Sequence, residues 1–132
     1  CTPPSGSCFA TGSTTVTCTA TDTSGLTATC SFSVAVFDVR IQDDSNPANV
    51  LLWNSTTGDY RFCCNGTVFT GNARAKKQGC NYSLQQNSNA RRVQGSDNKT
   101  SHTGSASLEI PRGTTVCTLT DSNTLNSTSI CQ

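Results

Sequence analysis

Methionine is absent from this chain of 132 residues, tryptophan and histidine occur once each, and charged side chains make up only 13%. Each shortage excludes something. With one imidazole, His102, and no serine-nucleophile elbow or cysteine partner near it, triad chemistry has little raw material. His102 reads as a solvated loop residue within the polar run 98–104. Long stretches of Ala, Leu, Glu and Lys are missing and no window keeps a 3.6-residue period, which argues against helices. No run is long and apolar enough for a membrane helix, so membrane insertion is not expected. No export leader is visible either, and the sequence is expected to be a mature or processed chain.

What fills the gap is Thr, Ser, Asn and Gly. Thr is the commonest residue, and its branched Cβ favours strands. The expected fold class is therefore all-β, a disulfide-stapled sandwich. The cysteines are Cys1, Cys8, Cys18, Cys30, Cys63, Cys64, Cys80, Cys117 and Cys131. Nine in so short a chain point to an oxidising, extracellular compartment, where disulfides supplement a small core. Zinc is the rival explanation, but no CxxC spacing occurs, and adjacent Cys63 and Cys64 would face opposite sides of a strand. No metal and no cofactor is expected. Nine is odd, so at least one thiol lacks a partner within the chain; Cys1, Cys8 and Cys131 are the candidates for an intermolecular bond.

Residues 14–36 read as a β-hairpin across a Thr-Ser-Gly turn. Val16, Cys18 and Ala20 alternate with threonines, and Ala28, Cys30, Phe32, Val34 and Val36 alternate with Ser and Thr on the return. Cys18 and Cys30 lie equally far from Ser24 and should be neighbours, bonded to each other or each to an opposing sheet. The stretch PPSGSCFATGSTTVTCTATDTSGLTATCSFSVAVFD closely resembles the C-terminal half of a hyalin repeat (HYR) module. That resemblance implies an immunoglobulin-like sandwich of extracellular adhesion proteins, present here without its N-terminal half. Departures from the pattern are Cys8, at a usually bulky apolar position, and Leu26, where Asn is common. A lone hairpin with an apolar face is marginal in water. Val16, Ala20, Ala28, Phe32, Val34 and Val36 therefore form a candidate assembly face, to be covered by the rest of the chain, by an upstream segment or by a neighbouring molecule.

The turn-rich Asp43-Asp44-Ser45-Asn46-Pro47 marks a boundary, giving an incomplete unit 1–40 and a sandwich or barrel 41–132. Within the latter, 50–53 and 60–64 flank a turn as a second hairpin, and 67–70, 79–85, 91–94, 105–110 and 116–120 read as further strands. This portion resembles a C-terminal domain of secreted bacterial proteins, Acidobacteria-like ones especially. The resemblance implies a location and no activity.

Candidate chemistry is sparse. Asp43 and Asp44 are adjacent and would face apart, so paired-carboxylate hydrolysis is not expected. Asp38, Asp43, Asp44, Asn46 and Asn49 offer oxygens to calcium, but a turn whose Asx side chains cap their own backbone is the simpler reading. Arg74, Lys76, Lys77, Arg91, Arg92 and Lys99 place six of nine basic residues within positions 74–99. They form a candidate patch for acidic polysaccharide, or a solvated face that keeps sheet edges apart. No stacking-aromatic pattern interleaves them, which argues against specific nucleic-acid binding. N-x-S/T sequons occur at Asn54, Asn65, Asn81, Asn98 and Asn126.

The expected role is a non-enzymatic structural subunit of an extracellular fibre, matrix or surface appendage. It would self-associate by strand complementation, with an intermolecular disulfide as a candidate lock. The alternative is an adhesive, glycan-binding C-terminal module of a larger secreted or surface protein.

Overall fold

A computed structural model describes residues 1–9 and 12–124. The chain divides into two compact units, 1–36 and 37–132. Every regular element among the described residues is a strand, and every pairing between these strands is antiparallel.

Unit 1 is a hairpin of two ten-residue strands, β1 (Gly12–Thr21) and β2 (Thr27–Val36). Their register runs unbroken from Gly12↔Val36 to Thr21↔Thr27, so the predicted apolar and hydroxyl faces separate cleanly. The turn is built by Asp22, whose Oδ1 accepts from the Ser24 and Leu26 backbone N–H groups at 2.8 and 2.9 Å. Gly25 supplies the left-handed φ of 85° that closes it.

Unit 2 is a sandwich of two meanders. The first sheet holds β3 (Val39–Gln42), β4 (Val50–Trp53), β5 (Asp59–Cys64) and β6 (Thr67–Asn72) in sequence order. The second holds β7 (Arg74–Gln78), β8 (Asn81–Asn87), β9 (Arg92–Asn98), β10 (Thr103–Glu109) and β11 (Thr115–Asp121), again in order. One residue, buried Ala73, carries the chain from β6 to β7 and so from one sheet to the other. Two open sheets, rather than one closed sheet, decide between sandwich and barrel.

Inward positions of both sheets meet in one core containing Ile41, Leu51, Trp53, Phe62, Leu84, Val93, Leu108 and Leu119, all 2% exposed or less. Gly95 lets the sheets close: a Cβ there would lie 2.8 Å from Leu51 Cδ2 and 3.2 Å from the Trp53 ring. A disulfide between Cys64 on β5 and Cys117 on β11 crosses the core.

The expected boundary at 40/41 would cut through β3. Val39 and Ile41 are fully buried in the second core, and β3 pairs with β4 from Val39↔Trp53 to Gln42↔Val50. Asp43–Pro47 is therefore the β3–β4 connection inside unit 2, and the compact units part at Val36/Phe37. β7 is absent from the strands read from apolar alternation, because only Ala75 on it is apolar, although Arg74 and Lys76 are spaced to share a strand face.

Candidate functional site

On unit 1, the residues of the expected assembly face share one side of the hairpin. Val16 pairs with Phe32, Ala20 with Ala28, and Val34 and Val36 continue it. The segment before β1 covers part of it: Thr2 and Thr17 exchange backbone hydrogen bonds of 2.8 and 3.0 Å, and Cys1 is disulfide-bonded to Cys18. This strap buries Val16 and leaves an open cleft of about 280 Å³ lined by Pro3, Pro4, Phe9, Val16, Phe32 and Val34. Phe32 remains 55% exposed, and Leu26 at the turn 71%. The free edge belongs to β2, whose second side carries no strand among the described residues.

The Cys1–Cys18 bond answers one question that spacing left open: Cys18 and Cys30 are cross-strand neighbours yet not bonded to each other. It also withdraws Cys1 from the intermolecular candidates. Cys8 and Cys30 are exposed free thiols on unit 1, and Cys63 is a half-buried one on unit 2. Cys80 is disulfide-bonded, and Cys131 lies outside the described residues.

The six basic residues do not form one patch. Lys99 is buried, its Nζ 2.5 Å from Asp97 Oδ2 and 5.6 Å from the Tyr82 ring centroid. Arg91 donates to Tyr60 Oη and the Thr70 carbonyl and lies over Phe69, 5.6 Å from its centroid. Arg92 faces Glu109 at 3.5 Å. Only Arg74, Lys76 and Lys77 are exposed together, on the edge strand β7, where Lys77 reaches over Tyr82 on the face opposite Arg74 and Lys76. The division follows from position: Arg91, Arg92 and Lys99 lie on or beside the central strand β9, where neighbours engage them, whereas β7 is an edge.

The acidic turn is spoken for by backbone donors. Asp43 accepts from Thr120 N–H, Ser45 Oγ and Asn46 N–H at 2.9, 2.8 and 3.2 Å, and these bonds, led by Thr120, hold its carboxyl below the ordinary 3.8. Asp44 accepts from Ser122 N–H, Asp38 takes both the N–H and the hydroxyl of Ser55, and Asn49 Oδ1 caps Asn65 N–H. The capping reading thus accounts for these oxygens, and the turn clips β3 to the end of β11. Asn54 is buried and caps Thr56 and Thr57, so its sequon is shielded; Asn126 lies outside the described residues. His102 occupies a left-handed turn position (φ 57°), its carbonyl accepting from Thr124 N–H.

One surface escaped the sequence reading. The outward face of β8–β11 carries two transverse rows, Ser83-Ser96-Ser105-Thr120 and Gln85-Gln94-Ser107-Thr118. All of these but Thr120 line an open depression of about 440 Å³. The signal was present in the spacing: every solvent-side position at the middle of four successive strands is a hydroxyl or an amide.

A disulfide-bonded all-β molecule whose first unit is a strapped hairpin belongs in class with small disulfide-stapled β modules, and its disulfides are consistent with an extracellular location. Within that class, residues 1–36 match the family model of the HYR domain, a cell-adhesion-associated immunoglobulin-like module, and the match ends where unit 1 ends. No curated protein and no solved structure matches the chain.

Proposed function

We propose that the protein is a non-catalytic extracellular module, a subunit of a fibre, matrix or surface appendage that assembles by β-strand complementation. The observation that carries this reading is the outer edge of β2: ten residues without a charge, a proline or a register shift. Proteins that must stay apart blunt such edges with lysine, proline or bulges, as β7 does here with Arg74, Lys76 and Lys77. An unblunted edge beside a half-exposed Phe32 suits a strand donated by a neighbouring copy. Main-chain hydrogen bonds would give affinity, and the cleft over Val16 would select alternate side chains. Cys8 and Cys30, exposed on the same unit, are the thiols placed to lock such a junction. The HYR match supports an adhesive setting. In this reading unit 2 is the C-terminal domain of a secreted bacterial protein.

The test is sedimentation velocity of the full chain over a wide concentration range, with and without reductant. Oligomers that grow with concentration and are lost in Phe32→Lys are expected. A chain that stays monomeric at high concentration, with β2 amides already protected from hydrogen exchange, overturns the proposal.

A further inference from the structure

The solvent face of the five-stranded sheet is unusual for an exposed β surface. Such faces ordinarily carry β-branched, aromatic or charged residues, which pack on the pleat or keep the surface soluble. Here Ser83, Ser96, Ser105 and Ser107 occupy β8, β9 and β10, giving up strand propensity at adjacent positions. Their shortness is what makes the depression: a floor of serines flanked by the longer Gln85 and Gln94. The face is also polarised. At one side both rows run onto β7, where Lys76 pairs with Ser83 and Arg74 with Gln85. Neither cation has a carboxylate partner among the described residues, whose ion pairs are Arg92–Glu109 and Lys99–Asp97.

We propose that this face binds a strand of acidic polysaccharide. Neighbouring β-strands lie about 4.8 Å apart and successive same-face residues about 6.8 Å apart along a strand. A pyranose ring therefore fits between the two rows, with its hydroxyls in reach of donors and acceptors on both sides. Every Ser, Thr and Gln in the rows can both donate and accept, as sugar hydroxyls require. Arg74 and Lys76 then meet uronate carboxylates at the edge of the sheet. Bases would find no aromatic platform in either row. The site is confined to unit 2 and stands independently of assembly through the hairpin. It replaces the basic patch inferred from sequence, sharing with it only Arg74 and Lys76.

The experiment is titration of the full chain with oligogalacturonate of defined length, followed by calorimetry and amide chemical shifts, with neutral dextran oligomers alongside. Expected are shifts along β8–β11, affinity that falls with salt, and at least tenfold weakening in Lys76→Glu and in Ser96→Glu. Lys77→Glu makes the same charge change on the opposite face of β7 and should leave affinity within twofold. Circular dichroism of each variant separates loss of binding from loss of fold. Equal weakening by Lys77→Glu and Lys76→Glu, equal affinity for dextran, or no binding of oligogalacturonate would each overturn the proposal.

Discussion

In unit 1 two ten-residue strands alternate apolar with hydroxyl residues, and most of the apolar positions stay in contact with solvent. In unit 2 shorter strands follow the same alternation and bury theirs almost completely. Alternation specifies which side chains share a face, but not whether anything lies against that face. Unit 2 supplies its own opposing sheet, so Leu51, Trp53 and Phe62 of one sheet share a core with Leu84, Val93 and Leu108 of the other. Unit 1 has only the strap of its first nine residues and the Cys1–Cys18 bond, whereas unit 2 adds a packed core to its Cys64–Cys117 bond. One edge of each differs in the same sense, although β6 at another edge of unit 2 is also uncharged. Unit 2 carries cations on β7, whereas unit 1 presents β2 bare.

The contrast can be broken most forcefully at the buried ion pair. Replacing Lys99 with Met strips the buried Asp97 carboxyl of its ion-pair partner and should cost unit 2 about 3–5 kcal/mol. The double variant Asp97→Leu, Lys99→Met should recover most of that loss in urea unfolding. Phe62→Ala removes a fully buried ring and should also cost about 3–5 kcal/mol, without altering hydrogen exchange in unit 1. Gly95→Ala pushes a methyl group into Leu51 and Trp53, and about 1–3 kcal/mol of overpacking should appear as a lower unfolding midpoint. If Val16→Ala destabilises unit 1 as much as Phe62→Ala destabilises unit 2, the hairpin has a core of its own and the contrast fails. The smallest expected effect is a pH dependence. Asp43 has a lowered folded-state pKa, so its contribution is complete above about pH 3.8 and is lost as pH falls through the lower folded value. Asp43→Asn should flatten that part of an acid-unfolding profile.

The hairpin was legible because Val16, Cys18 and Ala20 mirror Ala28, Cys30 and Phe32 about a Gly-containing turn. The β4–β5 pair was legible for the same reason. β3 was not: its four residues adjoin a turn-rich stretch that reads as a linker, and only the second core explains Val39 and Ile41. The basic patch failed because closeness in sequence says nothing about burial. Lys99 turns inward to Asp97 while Lys76 turns out. The polar face was overlooked because it exists only across strands: each contributes two unremarkable residues, and the register brings them together.

The Cys64–Cys117 bond has a mechanical consequence. It joins the end of β5 to β11 across 53 residues of chain. Tension entering before residue 64 and leaving after residue 117 passes through the sulfur atoms and bypasses the loop between them. About 180 Å of contour, at ~3.4 Å per residue, is thereby withheld from extension. That withheld loop contains β6 to β10, and with them most of the hydroxyl-lined depression. A protein pulled along its length while holding a polymer would keep its grip on strands that carry none of the load.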